Sequence, residues 1–251
     1  MARRERLTIA GVQLGVAMFV LGLWFHQTRT GRVSPILLPQ PERVVAIFPE
    51  LLGSSQFWRA AGITAAEVAG AFVLAATAGL LVGVLLGRWA PAARVASPLF
   101  SWAQMVPIIL FYPICILFFG IGPVSKIAFG GFYGFFPIVA NTILALSTVP
   151  PRYLTAAAAL GANRRQVVVR VLMPAARPLI LSGVRLGAAL CLIGVLAGEI
   201  LGSTAGLGYE IASSSGSFRT PEMYAYIIVT LVLVALFNLA ITRADDRRSQ
   251  V

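Results

Sequence analysis

The side chains that could do chemistry in this chain are few and scattered. His26 is the only histidine, and the two cysteines, Cys115 and Cys191, lie inside apolar runs without a CxxC spacing. One histidine cannot build a metal site, and the sequence contains no nucleophile–base set and no zinc signature. Gly206-Leu207-Gly208 does not follow a strand, so it carries no nucleotide-binding signal. We therefore predict no catalytic residue, no metal site and no cofactor in this chain.

Polar residues inside long apolar runs are the remaining candidates for functional side chains. Glu67 and Glu199 lie in such runs, and a carboxylate at membrane depth usually faces a cavity or a partner. Glu199 either belongs to a solute pathway or gate, or bonds to Lys126 or a backbone group. Glu67 is either a pathway residue or an acid at the level of the lipid headgroups. The sequence leaves both pairs of alternatives open.

Three further polar residues, Gln104, Tyr112 and Asn141, complete this set of pathway candidates. Gln104 and Asn141 can form hydrogen bonds between helices, which contribute about 0.6 kcal/mol on average in membranes. Tyr112 belongs to an aromatic-rich region that also suits packing or the membrane interface. Each residue therefore lines a pathway or holds helices together.

The elements that must position these residues are membrane spans. Of 251 residues, 58% are hydrophobic and 12% charged, whereas a soluble domain carries about a quarter charged residues. One span takes about 20 apolar residues. The six apolar runs are Leu7–Phe25, Ala60–Leu86, Val95–Phe119, Val124–Leu146, Leu179–Leu201 and Tyr224–Ile241. The predicted fold is all-α, a polytopic membrane protein with six transmembrane helices, and the first run is a retained span rather than a cleaved signal peptide.

Small residues and prolines modify these spans. Gly79, Gly83 and Gly87 repeat in the second run at a spacing that lets helix backbones approach closely. Prolines remove a backbone donor and kink helices, so they either shape a pathway or fit the packing. The prolines that interrupt the third and fourth runs are Pro107, Pro113 and Pro137.

Arginine positions orient the spans. With the N-terminus in the cytoplasm, thirteen arginines fall inside and five outside, and this bias predicts that both termini are cytoplasmic. The inside set is Arg3, Arg4, Arg6, Arg88, Arg94, Arg152, Arg164, Arg165, Arg170, Arg177, Arg243, Arg247 and Arg248; the outside set is Arg29, Arg32, Arg43, Arg59 and Arg219. Lys126 and Arg185 are left out because long side chains near span ends can snorkel. The same bias explains the net charge of +11 without a nucleic-acid partner.

Two connections are too long to be turns. The outer one, about 26–59, contains a proline-started amphipathic helix within residues 37–48, which we expect at the membrane interface. In the inner one, residues 153–161 form a short helix that turns at Gly161. A second helix then runs to Pro174, which we expect to break it. The apolar surface of this inner loop, rimmed by arginine, suits a groove on a partner protein.

The inner loop also carries a spaced motif. Thr155-Ala156-Ala157 is followed after three residues by Gly161, and after nine more by Val171-Leu172-Met173-Pro174. This pattern resembles the coupling-loop signature of binding-protein-dependent ABC-importer permeases, which reads Glu-Ala-Ala, Gly and Ile-x-Leu-Pro at the same spacing. Thr155 replaces the glutamate of that signature, which removes a charge that would face the ATPase.

Four other segments resemble the nitrate/sulfonate/taurine branch of that family, in the same order along the chain. They are Leu38-Pro39-Gln40-Pro41, Phe118-Phe119-Gly120-Ile121-Gly122 with Ser125-Lys126, Phe135–Thr142, and Ala197–Gly202 with Gly206-Leu207-Gly208-Tyr209. The resemblance implies a type I importer permease. Residues 1–36 would form an N-terminal transmembrane helix and the start of the outer loop, and residues 37–251 the permease domain, with the coupling loop at about 150–177.

The resemblance also implies partners. These are a second permease copy, two ATPase subunits that bind ATP and Mg, and an extracytoplasmic binding protein, at the bacterial inner membrane. The residues implied to contact the ATPase are Leu154, Thr155, Ala156, Ala157, Leu160, Gly161, Ala162, Arg164, Arg165 and Pro174. Arg164 and Arg165 either pair with the ATPase or enforce topology.

The solute and two other function classes stay open. The branch suggests a small anion such as a sulfonate, nitrate or an aromatic acid, but it also includes importers of heterocyclic nutrients. A secondary carrier would have inverted repeats and ionisable residues at mid-membrane, and an intramembrane enzyme would need a converging catalytic set. The coupling loop would have no purpose in a secondary carrier, and the single histidine at a span end argues against an enzyme.

Overall fold

The computed structural model describes the backbone of residues 2–249 and the side chains of residues 8, 11–163 and 165–239. Across that range every regular element is helical, so the all-α prediction is confirmed. The helices are α1 (Ala2–Arg29), α2 (Pro41–Gly53), α3 (Ser55–Gly87), α4 (Ala90–Ala103), α5 (Tyr112–Phe119), α6 (Pro123–Ser147), α7 (Pro151–Ala159), α8 (Arg164–Gln166), α9 (Met173–Gly202), α10 (Leu207–Gly216) and α11 (Thr220–Ser249). A 3-10 turn, Ile108–Phe111, precedes α5.

Several of these helices can cross a membrane. In the described chain, four stretches are long and apolar enough: Ser55–Gly87, Pro123–Ser147, Val167–Gly216 and Thr220–Leu239. The pair Ala90–Ala103 and Ile108–Phe119 would make a fifth, as a broken span or a re-entrant loop. The first predicted run lies in α1, part of whose side chains fall outside the described residues. A multi-pass helical protein is confirmed, and the count of six spans stays a prediction.

The third predicted span is broken rather than continuous. Its two halves meet at 84°, and residues 104–107 between them are not helical. Proline lacks an N–H and clashes with the preceding turn, and it disfavours the helical region for the residue before it, so Pro107 ends the helix instead of kinking it. Pro113 lies in the first turn of α5, where its missing N–H costs little, and Pro137 lies within an unbroken α6.

The chain divides into two compact units. The first contains residues 1–58 and 210–232. Within it, α2 begins at Pro41 and buries Val44 and Leu51, which confirms the proline-started helix. The segment before α2 is tied down by hydrogen bonds. They run from Trp24 Nε1 to Pro39 O (2.9 Å) and from Thr220 Oγ1 to Ile36 O (2.6 Å).

The second unit contains residues 59–209 and 233–251, and α6 lies at its centre against α9, α3 and α4. The glycine stripe of α3 packs directly on α6. A Cβ placed on these glycines would come 2.6–2.9 Å from the nearest α6 side chain, so only glycine allows this approach. The facing pairs are Gly79–Ile138, Gly83–Thr142 and Gly87–Leu146. The predicted close helix packing is therefore confirmed.

The break predicted at Pro174 does not occur. Residues Val167–Leu172 form a π-helical turn in which the Met173 N–H bonds to Val168 O. This wider turn leads straight into α9, with Pro174 in its first turn. Because first-turn N–H groups need no partner within their own helix, the proline is tolerated there. The second helix of the inner loop and the fifth span are therefore continuous.

Candidate functional site

The inner loop consists of two short helices joined by a tight turn at Gly161. Gly161 has φ +68° and closes α7 with a pair of hydrogen bonds. The N–H of Ala162 donates to Ala157 O at 3.0 Å, and the N–H of Gly161 donates to Ala158 O at 3.0 Å. This pairing ends helices when the residue after the cap is left-handed, which favours glycine. The turn predicted at Gly161 is confirmed.

The helix after the turn is fixed by a capping box. Asn163 Oδ1 accepts the N–H of Gln166 at 2.9 Å, and Gln166 Oε1 accepts the N–H of Asn163 at 2.8 Å. Reciprocal bonds of this kind satisfy two donors that a helix start would otherwise leave open. The sequence analysis overlooked this pair, although the Asn-x-x-Gln spacing is a signal for it. The two caps give the loop a defined shape.

The loop presents apolar side chains on its surface. Leu160 is 87% exposed at the turn, and Leu154 is also exposed, whereas Ala157 is buried and holds α7 against the protein. Thr155 Oγ1 donates to Pro151 O within α7 at 3.2 Å. Among the other predicted contact residues, Ala156, Gly161, Arg165 and Pro174 are exposed, Ala162 is half-buried, and the side chain of Arg164 lies outside the described residues.

A buried polar cluster lies near the start of α6 and the end of α9. Lys126 Nζ lies 2.7 Å from Glu67 Oε1, and both side chains are only 3% exposed. Lys126 Nζ also donates to Ser203 Oγ at 2.7 Å. Ser203 Oγ in turn donates to Ala205 O at 2.7 Å, so the ion pair is tied to the segment that follows α9.

Glu199 anchors the same segment by a separate set of bonds. Thr64 Oγ1 donates to Glu199 Oε1 at 2.7 Å, and the N–H of Gly208 donates to Glu199 Oε2 at 2.7 Å. The Leu207 N–H donates to Thr64 Oγ1 at 2.9 Å. Gly206 has φ +112°, and a Cβ there would collide with the Glu199 carboxylate. The Gly-Leu-Gly motif therefore closes a loop over a buried acid.

The family of the chain follows from a direct comparison. A family model described as "Binding-protein-dependent transport system inner membrane component" matches residues 46–249, which include the whole inner loop. The chain belongs to this family. It is therefore a multi-pass inner-membrane permease component of an ABC transporter, a transport subunit rather than an enzyme, and nucleotide is bound by the partner ATPase.

Individual relatives agree with this assignment. The permease is 27% identical over 242 residues to the "Taurine transport system permease protein TauC" of Escherichia coli, covering 94% of this chain and 88% of that protein. It is 32% identical over 221 residues to the "Riboflavin transport system permease protein RibX" of Chloroflexus aurantiacus, covering 87% and 81%. The taurine relative confirms the branch that the four sequence segments indicated.

A solved structure supports the fold. A chain of the inward-facing MetNI methionine ABC transporter superposes with a TM-score of 0.64, covering 79% of this permease and 96% of that chain. Because the sequence identity is only 23%, this similarity supports the helical architecture and nothing further.

Three of the five pathway candidates of the permease come together in the buried cluster. Glu67 and Glu199 belong to it, and buried Tyr112 donates to Gly202 O at 2.9 Å beside it. One expectation is thereby corrected: Lys126 neither snorkels nor bonds to Glu199, because it is buried against Glu67. The position of Glu67 relative to the lipid headgroups stays a prediction. The expectation of a backbone partner for Glu199 is confirmed.

The other two candidates lie elsewhere. Gln104 is exposed at the break after α4, and its Nε2 donates to Phe100 O at 3.3 Å. Asn141 is half-buried, and its Nδ2 donates to Pro137 O at 2.8 Å. Both amides thus bond to a carbonyl four residues earlier, which lies within reach on the same helix face. The predicted bonds between helices do not involve these donors.

Two members of the cluster, Thr64 and Ser203, were missed by the sequence analysis. Thr64 precedes Glu67 by three residues, a spacing that places both on one face of a helix, and this was an available signal. Ser203 gives no signal of its own, because its role depends on where α9 ends.

Proposed function

We propose that this permease forms a translocation pathway for a small anionic solute that a binding protein delivers, and that the inner loop couples it to a separate ATPase. The observation that carries the coupling role is the doubly capped turn that holds Leu160 87% exposed. A large apolar side chain fixed outside the protein core is typical of a contact that a partner covers. The proposed coupling set is the ten residues from Leu154 to Pro174 named above, of which the buried Ala157 positions α7 rather than contacting the ATPase.

The proposed assembly follows the predicted topology. Six spans with both termini in the cytoplasm put the inner loop on the ATPase side and residues 30–40 on the outer side. A second permease copy and two ATPase subunits complete the transporter, in which ATP-driven closure of the ATPases moves the coupling helices. Residues 1–36 are proposed as the N-terminal transmembrane helix and the start of the outer loop, and residues 37–251 as the permease transmembrane domain.

The proposed pathway uses the five polar candidates in different ways. Glu67, Glu199 and Tyr112 hold the segment after α9, and we assign them to an outer gate rather than to contact with solute. Gln104, exposed beside the break in the third span, is the candidate for lining the pathway, and Asn141 is a second. An anionic solute fits the sulfonate branch, and Arg185, half-buried midway along α9, is the basic residue proposed to attract it.

Affinity purification in mild detergent tests the coupling role. We expect the wild-type permease to co-elute with a partner that carries Walker motifs and hydrolyses ATP. Leu160→Asp places a charge in the proposed contact, so recovery of that partner is expected to fall about tenfold, a typical loss for a central contact residue. Leu37→Asp is the matched control, because Leu37 is 69% exposed but lies on the predicted outer side.

Two results would contradict the proposal. Equal losses of the ATPase for both aspartate variants would show that the inner loop is not the contact. A wild-type permease that purifies alone and still moves solute in ATP-free liposomes would support the secondary-carrier alternative instead.

A further inference from the structure

An acidic cleft lies within the first compact unit, where α2 and the starts of α3 and α11 approach α10. Its volume is about 200 Å³. Its lining includes three carboxylates, one guanidinium, one amide and one buried serine hydroxyl. These residues are Glu50, Glu210, Glu222, Arg219, Gln56 and Ser214.

The negative charge of this acidic cleft is not balanced within the described chain. Arg219 is already engaged, since its Nη1 lies 2.7 Å from Glu222 Oε2. Glu210 is only 7% exposed, and both of its oxygens accept from the neutral Gln56 Nε2, at 3.1 and 3.0 Å. None of the ion pairs found among the described residues involves Glu210 or Glu50. A buried carboxylate normally has a cationic partner, so the cleft is suited to receive one.

A buried hydroxyl in the same cleft is also unsatisfied. Ser214 is 1% exposed and lines the cleft, and its Oγ has no hydrogen-bond partner in the described part of the chain. Buried polar atoms in folded proteins almost always have a partner. A group that carries positive charge and donates several hydrogen bonds would satisfy Ser214 and Glu210 together. The side chains with those properties are the lysine ammonium and the arginine guanidinium.

An exposed aromatic residue stands directly beside the acidic cleft. Phe218 follows the end of α10 and has φ +55°. Two hydrogen bonds close the helix there: the N–H of Arg219 donates to Ser214 O at 2.9 Å, and the N–H of Phe218 donates to Ser215 O at 3.1 Å. Glycine usually occupies this position, and a bulky residue with positive φ is an outlier. The chain therefore keeps a strained phenylalanine whose side chain is 77% exposed, and such strain is concentrated at functional positions.

We propose that the acidic cleft and Phe218 together form the docking site for the substrate-binding protein. A lysine or arginine side chain of that protein enters the cleft between Glu210 and Ser214, and an apolar pocket on it covers Phe218. An aromatic anchor next to a desolvated charge pair is the composition of an interface hot spot. The inference rests on the proposed function, because only the predicted topology places this patch on the outer side.

Charge and the number of available ligands separate this occupant from lipid headgroups and metal ions. Anionic lipid headgroups would be repelled by the carboxylates of the cleft, and a zwitterionic headgroup brings a phosphate together with its ammonium, so it is a weaker match than a lysine or arginine side chain. In the described residues, no group of three histidine, cysteine, aspartate or glutamate side chains could hold a metal ion. A basic protein side chain is the occupant that the cleft accommodates best.

Binding measurements on the reconstituted transporter test this proposal. The permease and its ATPase are placed in nanodiscs, and the probe is the purified binding protein that stimulates ATP hydrolysis by the wild-type complex. Glu210→Gln keeps the shape of the side chain but removes its charge, so the Kd is expected to rise about tenfold and to become less sensitive to salt. Phe218→Gly relieves the backbone strain, so it is expected to raise the thermal midpoint of the permease while it weakens binding about tenfold.

Glu42→Gln is the matched control, because Glu42 is an exposed carboxylate of α2 outside the acidic cleft. It is expected to leave the Kd unchanged. Wild-type affinity in both Glu210→Gln and Phe218→Gly would overturn the docking site while the proposed function stands. If Phe218→Gly changes only the lipid dependence of stability, Phe218 is a membrane-interface residue and the docking site is wrong. If no binding protein stimulates ATP hydrolysis by the wild-type complex, the proposed function itself fails.

Discussion

Lys126 and Glu67 form an ion pair that is almost completely removed from solvent. Breaking a buried pair costs about 3–5 kcal/mol, because the remaining charge stays buried without its partner. We therefore expect Lys126→Met to lower the thermal midpoint of the detergent-solubilised permease strongly. The change is expected to free the segment after α9 as well, since Lys126 also holds Ser203.

The double variant Lys126→Met/Glu67→Leu is the control for this prediction. Removing both charges leaves neither member of the pair buried without its partner, so the double variant is expected to recover much of the stability that the single variant loses. Arg219→Met is a second control, because it removes an ion pair whose side chains are 50% and 37% exposed. Exposed pairs contribute at most about 1 kcal/mol, so this variant is expected to lower the thermal midpoint only slightly. Additive losses in the double variant would mean that the two side chains do not act as a pair.

The residues of the buried cluster show which features of the site could be predicted from the sequence. Glu67, Glu199 and Tyr112 were identifiable because polar groups stand out in apolar runs. The pairing of Lys126 with Glu67 was not, because it depends on how α3 and α6 are rotated and shifted against each other. The exposed position of Gln104 likewise depends on the 84° angle between the two halves of the third span, because Pro107 specifies the break but not that angle.

At the scale of elements, the glycine stripe of α3 sets how closely α3 and α6 pack. A Cβ on Gly83 would lie 2.6 Å from Thr142 Cβ, whereas a Cβ on Gly62 in the same helix would meet nothing within 4 Å. Alanine at an open helical position gains about 1 kcal/mol over glycine, but overpacking costs about 1–3 kcal/mol. Gly83→Ala is expected to lower the thermal midpoint, and Gly62→Ala to raise it or leave it unchanged.

This comparison controls for helix propensity, because both changes are the same substitution in one helix. Equal effects of the two variants would contradict the close approach of α3 and α6. Thermal unfolding followed by size-exclusion fluorescence in one detergent provides the measurement.

Prolines show why element boundaries were only partly predictable. Pro41 starts a helix as expected, and Pro151 starts α7 in the same way, because a proline in the first turn needs no N–H partner. A helix ends before Pro107, whereas the helix continues through Pro174 because a π-helical turn precedes it. The difference depends on how the flanking residues pack. Proline prevents the α-helical hydrogen bond at its own nitrogen, but it does not determine whether the helix ends or continues through a π-helical turn.

At the scale of the whole molecule, the arginine bias gives the permease an orientation that both proposed interfaces require. The coupling surface at Leu160 must face the cytoplasm, and the docking site at Phe218 must face the outside. Leu160→Cys and Phe218→Cys place single thiols at two highly exposed positions, 87% and 77%. A membrane-impermeant maleimide is expected to label the Leu160→Cys variant only in inverted vesicles, and the Phe218→Cys variant only in intact spheroplasts.

The wild-type permease is the control for this labelling, because Cys191 is buried and Cys115 is only half-exposed. Its labelling in each preparation gives the background to subtract. The reverse pattern would place Leu160 outside, where no ATPase can reach it, and would remove both the coupling role and the docking site. Labelling of both variants in one preparation would place Leu160 and Phe218 on the same side of the membrane. An even number of spans would then separate the two positions, which contradicts the single crossing that α9 is predicted to make.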